Sequence, residues 1–74
     1  MITITVGFEG KPNNLKDANV CAIHHASTRR IAGNRLIAQY ICETDDYDQA
    51  MNIVMDTIDI DRAEGFGCRL LWIG

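Results

Sequence analysis

Apolar and polar residues alternate strictly at the start of the chain. Residues 2–8 place Ile, Val or Phe at every second position, with threonine and glycine between them. A period of two in β-branched residues is typical of a β-strand with one buried face. Residues 9–14 contain Gly, Pro and two Asn, so we predict that the strand ends in a turn there.

The next segment, residues 15–32, has a poorly focused apolar pattern and admits two structures. Its alanines favour a helix, with Asn14 as the N-terminal cap and Gly33-Asn34 as the stop. The alternative is a hairpin over residues 20–42 that turns at Gly33-Asn34. We predict the helix over 15–32 and retain the hairpin as its alternative.

The second half of the chain has a clearer pattern. Residues 36–42 are apolar on both faces apart from Gln39. This predicts a strand that is covered on both sides, or one that is covered on one side and paired across an interface on the other. Asp46 followed by Gln49 is a capping-box pattern, and it predicts a helix with one buried face. The apolar residues that recur with a helical period there are Tyr47, Ala50, Met51, Val54 and Ile58.

These elements predict a single α+β domain over residues 1–74. Residues 58–67 are expected to form a polar connector, and residues 68–73 a last strand. We predict a small mixed sheet of three strands, or four with a hairpin at 20–42, packed by one or two helices. Such a sheet has two edges and a short chain buries little surface, so we expect self-association or docking on a partner.

Charge is divided between the two halves of the chain. Residues 1–37 contain five Lys or Arg and two acids, a formal +3, whereas residues 38–74 contain two Arg and eight acids, a formal −6. The total of −3 disfavours nucleic-acid binding, because phosphate contacts need Lys or Arg. A dense acidic surface favours a basic surface on another protein, although the same charges also serve simply to keep a small protein soluble.

Candidate chemistry centres on histidine and cysteine. On a helix, Cys21 and His25 would share one face and could hold zinc together with Cys42 or Cys68, and His24 adjoins them. Cys42 and Cys68 lack the close partner that structural zinc motifs supply, and thiols in apolar strings are buried rather than activated. We therefore expect no metal, no cofactor and no enzymatic activity.

Compartment and nucleic-acid contact are the remaining expectations from composition. The chain has no apolar run near the roughly 18 residues of a membrane span and no signal-peptide pattern, and its three cysteines form no disulfide framework. We expect a cytoplasmic protein with no membrane partner. The basic cluster of Arg29, Arg30 and Arg35 is the one nucleic-acid candidate, and the net charge leads us to expect no direct binding.

One stretch carries a family resemblance. The apolar strand 36–42 is followed by Thr44-Asp45-Asp46 and then by the Ala/Met helix residues 50–55. In this arrangement, and in its size and acidity, the chain resembles the small phage-encoded anti-CRISPR proteins. The resemblance implies steric or DNA-mimicking inhibition, in which carboxylates occupy Lys/Arg sites that otherwise hold phosphates. The arrangement is also similar to antitoxins of the HicB type, which implies the masking of a toxin.

We therefore predict a small acidic, non-enzymatic interaction protein. It would inhibit a larger complex, such as a CRISPR-Cas effector, by binding its basic nucleic-acid-binding surface. The residues predicted to contact that surface are Asp45, Asp46, Asp48, Asp56, Asp59, Asp61 and Glu64. The alternatives are a HicB-like antitoxin fragment and a small dimeric structural protein that associates through a sheet edge.

Overall fold

Helices pack against one side of a four-stranded sheet in the computed structural model, which describes residues 1–23 and 25–74. The predicted α+β class is confirmed. His24 lies outside the described residues, and so does the expectation attached to it. The strands are β1 (Ile2–Glu9), β2 (Thr28–Ala32), β3 (Arg35–Cys42) and β4 (Arg69–Ile73), and the helices are α1 (Pro12–Cys21), α2 (Tyr47–Thr57) and α3 (Ile60–Gly65).

The sheet has the strand order β2-β3-β1-β4, and every neighbouring pair is antiparallel. β1 and β2, which α1 connects, lie on either side of β3. In the same way β3 and β4, which α2 and α3 connect, lie on either side of β1. This doubled split βαβ arrangement, with α3 added, accounts for the whole topology. The prediction of a mixed sheet with three strands is therefore wrong, and the alternative with four strands is confirmed.

The segment 15–32 combines parts of both predicted structures. A helix is present, but α1 ends at Cys21, and residues 28–32 form β2 of a hairpin. The hairpin turns at Gly33-Asn34, as its prediction required. Gly33 has a φ of 61°, while φ at Asn34 is not positive, a pattern that matches a type II′ turn between two strands. The turn joins two paired strands, so residues 28–32 cannot belong to a helix that continues to Ala32.

The start of α1 also differs from the prediction. Lys11, not Asn14, stands at the N-cap, and its side chain makes no capping hydrogen bond. Pro12 takes the first helical position, where its missing N–H and fixed φ cost nothing. Leu15 and Ala18 are the buried residues of the helix, so a short apolar stripe holds α1 against the sheet.

The second helix begins as predicted, and a third helix replaces the predicted connector. Asp46 Oδ1 accepts hydrogen bonds from the backbone N–H groups of Asp48 and Gln49, at 3.0 and 3.4 Å. Within residues 58–67, Asp59 caps α3 by accepting from Arg62 N at 3.0 Å. A helix of six residues is too short to give a periodic apolar signal, so its only sign in the sequence is the capping aspartate.

The core lies between the helices and one face of the two central strands. The fully buried positions on β1 are Ile4, Val6 and Phe8, and β3 contributes alternate residues from Leu36 to Cys42. From α2, Ala50, Val54 and the adjacent Ile58 are buried as predicted, and Met51 is half-buried. Tyr47, which shares their predicted face, is 51% exposed.

The N-cap of α2 gives a direct test of helix capping. We expect Asp46→Ala to lower the free energy of unfolding by about 1 kcal/mol, because two backbone N–H groups lose their acceptor. Asp46→Asn, which keeps a capping oxygen, should lose only a few tenths of a kcal/mol. Urea denaturation followed by circular dichroism measures both, and equal losses would contradict the cap.

Tyr40 predicts how stability changes at alkaline pH. Burial raises the pKa of its phenol to about 12, and the nearby Arg29 opposes this only in part. Above pH 10 the phenol ionises in the unfolded chain but stays neutral in the folded one, so folding stability falls between about pH 10 and 12, by on the order of 1 kcal/mol per pH unit.

The control is Tyr40→Phe. Among the described residues the Tyr40 hydroxyl has no hydrogen-bond partner, so its removal should leave stability at pH 7 unchanged or raise it. Urea titrations at pH 9 and pH 11 should show a smaller alkaline loss for the variant. A loss equal to that of the parent chain would assign the effect to other groups.

Candidate functional site

The seven predicted contact residues fall into two groups at opposite ends of α2. One group, Asp45, Asp46 and Asp48, lies at the start of the helix. The other lies where α2 meets α3 and consists of Asp56, Asp59, Asp61 and Glu64. Eleven helical residues span about 16 Å, so the structure does not bring the seven carboxylates together as one patch.

Several of these carboxylates already have structural partners. Asp46 and Asp59 cap helices, and Asp59 also lies 3.6 Å from the Arg62 side chain. Asp45 pairs with the amino group of Met1 at 2.9 Å, although both groups are largely exposed. No ion pair in the described residues involves Asp48, Asp56, Asp61 or Glu64.

The corner between α2 and α3 forms one wall of an open groove of about 700 Å³. Asp59 N donates to Ala22 O at 3.0 Å, which fixes this corner against the end of α1. Eight residues line the groove. Three of them, Asp56, Asp59 and Asp61, are acidic, and the other five are Cys21, His25, Thr57, Ile58 and Ile60. The groove is thus the place where the predicted acids converge.

Three of the eight residues that line the groove carry a carboxylate. No group of three or more potential metal ligands occurs in the described part of the chain. Carboxylates at the rim of a groove can accept hydrogen bonds from a Lys ammonium or an Arg guanidinium, with apolar stems packing on residues such as Ile58 and Ile60. Elsewhere, burial and the Asp17 carboxylate raise the pKa of the Cys68 thiol, so that thiol stays protonated at neutral pH.

The opposite side of the molecule is an uncovered sheet face. The side chains there alternate with the buried ones, and neighbouring strands place them in rows across the sheet. One row runs Trp72, Gly7, Ile37 and Arg30, and the next runs Arg69, Glu9, Arg35 and Ala32. We call this surface the open face. The strand 35–42 is therefore covered on one side only, and Ile41 on its other side is 53% exposed.

A β-bulge sets the position of Trp72 on this face. Val6 pairs with Ile73 and Gly7 with Trp72, but Phe8 pairs with Leu70, so Leu71 has no partner on β1. A Cβ atom on Gly7 would overlap three contiguous atoms of the six-membered ring, Cη2, Cζ3 and Cζ2, at nearly equal distances. The flat side of the indole therefore rests on Gly7, which explains the glycine in the middle of a central strand.

Charge on the open face is mainly basic. Arg30, Arg35 and Arg69 all point to this side, and Glu9 is the acid among them. Glu9 pairs with Arg69 at 3.4 Å. Sequence reasoning had identified Arg30 and Arg35 but had not connected them with Trp72, since that connection depends on the bulge and on the strand order.

Comparison of the sequence with family models and curated proteins, and of the fold with solved structures, gives no significant match. None of the helices in residues 1–23 and 25–74 is both long and apolar enough to cross a bilayer. The function must therefore be argued from the groove and the open face themselves, and not from the fold.

The contact between Gly7 and Trp72 predicts the outcome of adding one methyl group. Alanine is normally preferred to glycine within a strand, but here the methyl would displace the indole. We expect Gly7→Ala to lower the free energy of unfolding by about 1–3 kcal/mol and to shift the emission of Trp72, the one tryptophan, to longer wavelength as the ring becomes hydrated.

Gly65→Ala is the matched control. No atom lies within 4 Å of a Cβ built there, and the residue belongs to α3, so the substitution should stabilise the protein by up to about 1 kcal/mol. Its Trp72 emission should not move. A stable Gly7→Ala protein with unchanged emission would show that the ring does not rest on Gly7.

Proposed function

We propose that this protein is a non-enzymatic interaction protein whose acidic groove binds a basic segment of a larger, nucleic-acid-handling protein. The observation that carries the proposal is the convergence of Asp56, Asp59 and Asp61 on one open groove. The class of partner is the one that the sequence predicts. It is a protein–nucleic-acid complex, such as a CRISPR-Cas effector, which this protein would inhibit.

The proposal narrows the seven predicted contact residues to those near the groove. Asp56 and Asp61 line it and have no ion pair within the described residues, so their desolvation by a Lys or Arg would be compensated by a new charge-assisted hydrogen bond. Glu64 lies one turn beyond Asp61 on α3 and extends the same negative surface. The groove is open, and this suits a protruding basic side chain better than a small enclosed substrate.

Electrostatic steering supports a binding role for this surface more than a structural one. Asp56, Asp59 and Asp61 stand within six positions of the sequence, while Arg62 is the one cation among residues 38–68. A concentration of like charge destabilises a fold slightly, but it accelerates association with an oppositely charged partner. Inhibition would follow when the groove occupies basic residues that otherwise hold phosphates.

A second candidate, association through a sheet edge, rests on β4. This strand lies at the edge of the sheet and carries four consecutive apolar residues, Leu70 to Ile73. The other edge strand, β2, presents Arg29 and Arg30, and charged residues on an edge discourage pairing with another strand. A homodimer would therefore form through β4, and its stability would be nearly independent of salt.

The test replaces two groove carboxylates and compares them with two distant ones. We expect Asp56→Asn/Asp61→Asn to weaken binding to a fluorescein-labelled Arg/Lys-rich peptide about fivefold to thirtyfold, because two exposed ion pairs contribute about 0.5–1 kcal/mol each. Asp45→Asn/Asp48→Asn removes the same charge at the other end of α2 and should weaken binding less than twofold. Fluorescence anisotropy at about 50 and 300 mM salt measures both.

If the two double variants weaken peptide binding equally, the effect depends on net charge alone, and the proposal that the peptide binds in the groove is wrong. Sedimentation velocity of the unliganded protein distinguishes the second candidate. A dimer that persists in high salt and dissociates in Leu71→Lys would favour the β4 edge, whereas a monomer in all conditions would remove that candidate.

A further inference from the structure

We propose that the open face of the sheet binds single-stranded nucleic acid, with a base stacked on Trp72 and phosphates held by Arg30 and Arg35. This surface lies on the far side of the sheet from the helices, and the proposal does not depend on the acidic groove. It reverses the expectation, based on net charge, that the protein makes no direct contact with nucleic acid.

Trp72 is arranged as a stacking platform. One side of its ring rests on Gly7, where no side chain can tilt it, and the residue remains 37% exposed. The indole therefore lies along the sheet with its other side towards solvent. Stacking on such a ring is available to every base, because each base has a flat π-surface.

The arginines lie at distances that suit a strand crossing the sheet. Arg30 is in the same row as Trp72, three strand spacings away, or roughly 14 Å. Arg35 follows on the next row of β3. No ion pair of the described residues involves either arginine, whereas Arg69 is already paired with Glu9. Two guanidinium groups are thus available to phosphates.

A shallow pocket lies at the Arg30 end of the open face, away from Trp72. About 390 Å³ of space lies between β2 and β3, lined by Thr28, Arg29, Arg30, Ile37 and Gln39. Its polar groups are hydroxyl, amide and guanidinium, and its floor is apolar. Threonine, glutamine and arginine side chains commonly contact phosphates, so the pocket provides a further phosphate contact for a strand that stacks on Trp72.

Charge argues against a second copy of the chain as the occupant. If two open faces met, six arginines would oppose two glutamates, and like charges across an interface are costly. An acidic protein segment would satisfy the arginines, but it would have no need for a flat exposed indole. A single strand of nucleic acid uses both features.

The net charge of −3 does not prevent this binding. The carboxylates of Asp56, Asp59 and Asp61 belong to the layer of helices on the other side of the sheet. A helix is about 10 Å across, and the Debye length at 0.1 M salt is also about 10 Å. A strand on the open face is therefore largely screened from these acids.

The experiment uses Trp72 itself, because it is the one tryptophan of the chain. The full chain is titrated with oligothymidylate and oligouridylate of about 12 nucleotides, and with a blunt DNA duplex, in about 50 mM salt. We expect both single strands to quench Trp72 emission with similar affinity, since neither contact depends on the sugar, and the duplex to bind at least tenfold more weakly.

Matched charge variants locate the site. Arg30→Gln/Arg35→Gln should weaken oligonucleotide binding roughly tenfold or more and reduce the slope of log affinity against log salt by about 1.4. Lys16→Gln/Arg62→Gln removes the same charge from the helical side and should change neither. Trp72→Leu, checked for folding by circular dichroism, should weaken binding with no change in the salt slope.

Three results would overturn the proposal. One is the absence of binding by either single strand at low salt, and another is an equal loss in the two charge variants. The third is binding of an oligoglutamate peptide as tight as that of the oligonucleotides, which would assign the open face to an acidic protein partner.

Discussion

The fold depends on the burial of alternate residues of β1 beneath the layer of helices, where α2 packs on β1 and α1 on the neighbouring β3. Ile4, Val6 and Phe8 are fully buried, and the strand that carries them pairs with both β3 and β4. The helices place Leu15, Val54 and several alanines in the same core. A chain of 74 residues has enough helix to cover one side of a sheet but not both. In residues 1–23 and 25–74 the helices therefore lie on one side, and the other side of the sheet is exposed.

One-sided coverage also separates the charges. Seven of the eight acids of the second half lie in or beside α2 and α3, whereas three of the seven Lys and Arg residues point from the strands to the open face. The acids of the helices and these three arginines of the strands thus lie on opposite sides of the sheet. Under the two proposals above, partners of opposite charge would bind on opposite sides of the sheet without competing.

The sequence was informative where one pattern determined one element. Strict alternation identified β1, and a capping residue followed by a helical period identified α2. The segment 15–32 was ambiguous because it contains a helix and a strand, with an alanine-rich composition that favours helix throughout. The short helix α3 left no periodic signal, and only its cap at Asp59 marks it.

For the candidate sites, residue type was predictable but convergence was not. The acidic residues were identified from composition, yet the length of α2 divides them and the α2–α3 corner selects three for the groove. The open face was missed because its members come from four strands that are neighbours only in the folded sheet. Arg30 and Trp72 are 42 positions apart in the sequence and share one row.

Leu71, the residue of β4 that has no partner on β1, determines on which side of the sheet Trp72 lies. Side chains along a strand alternate between its faces, so the face that a residue occupies depends on whether an odd or an even number of residues precedes it in the strand. In a β4 of the same length without the bulge, alternation from Arg69 would place Leu71 opposite Gly7 on the open face and turn Trp72 to the side of the helices. One residue without a partner on β1 therefore decides that the exposed side of the sheet carries an indole and not a leucine side chain opposite Gly7.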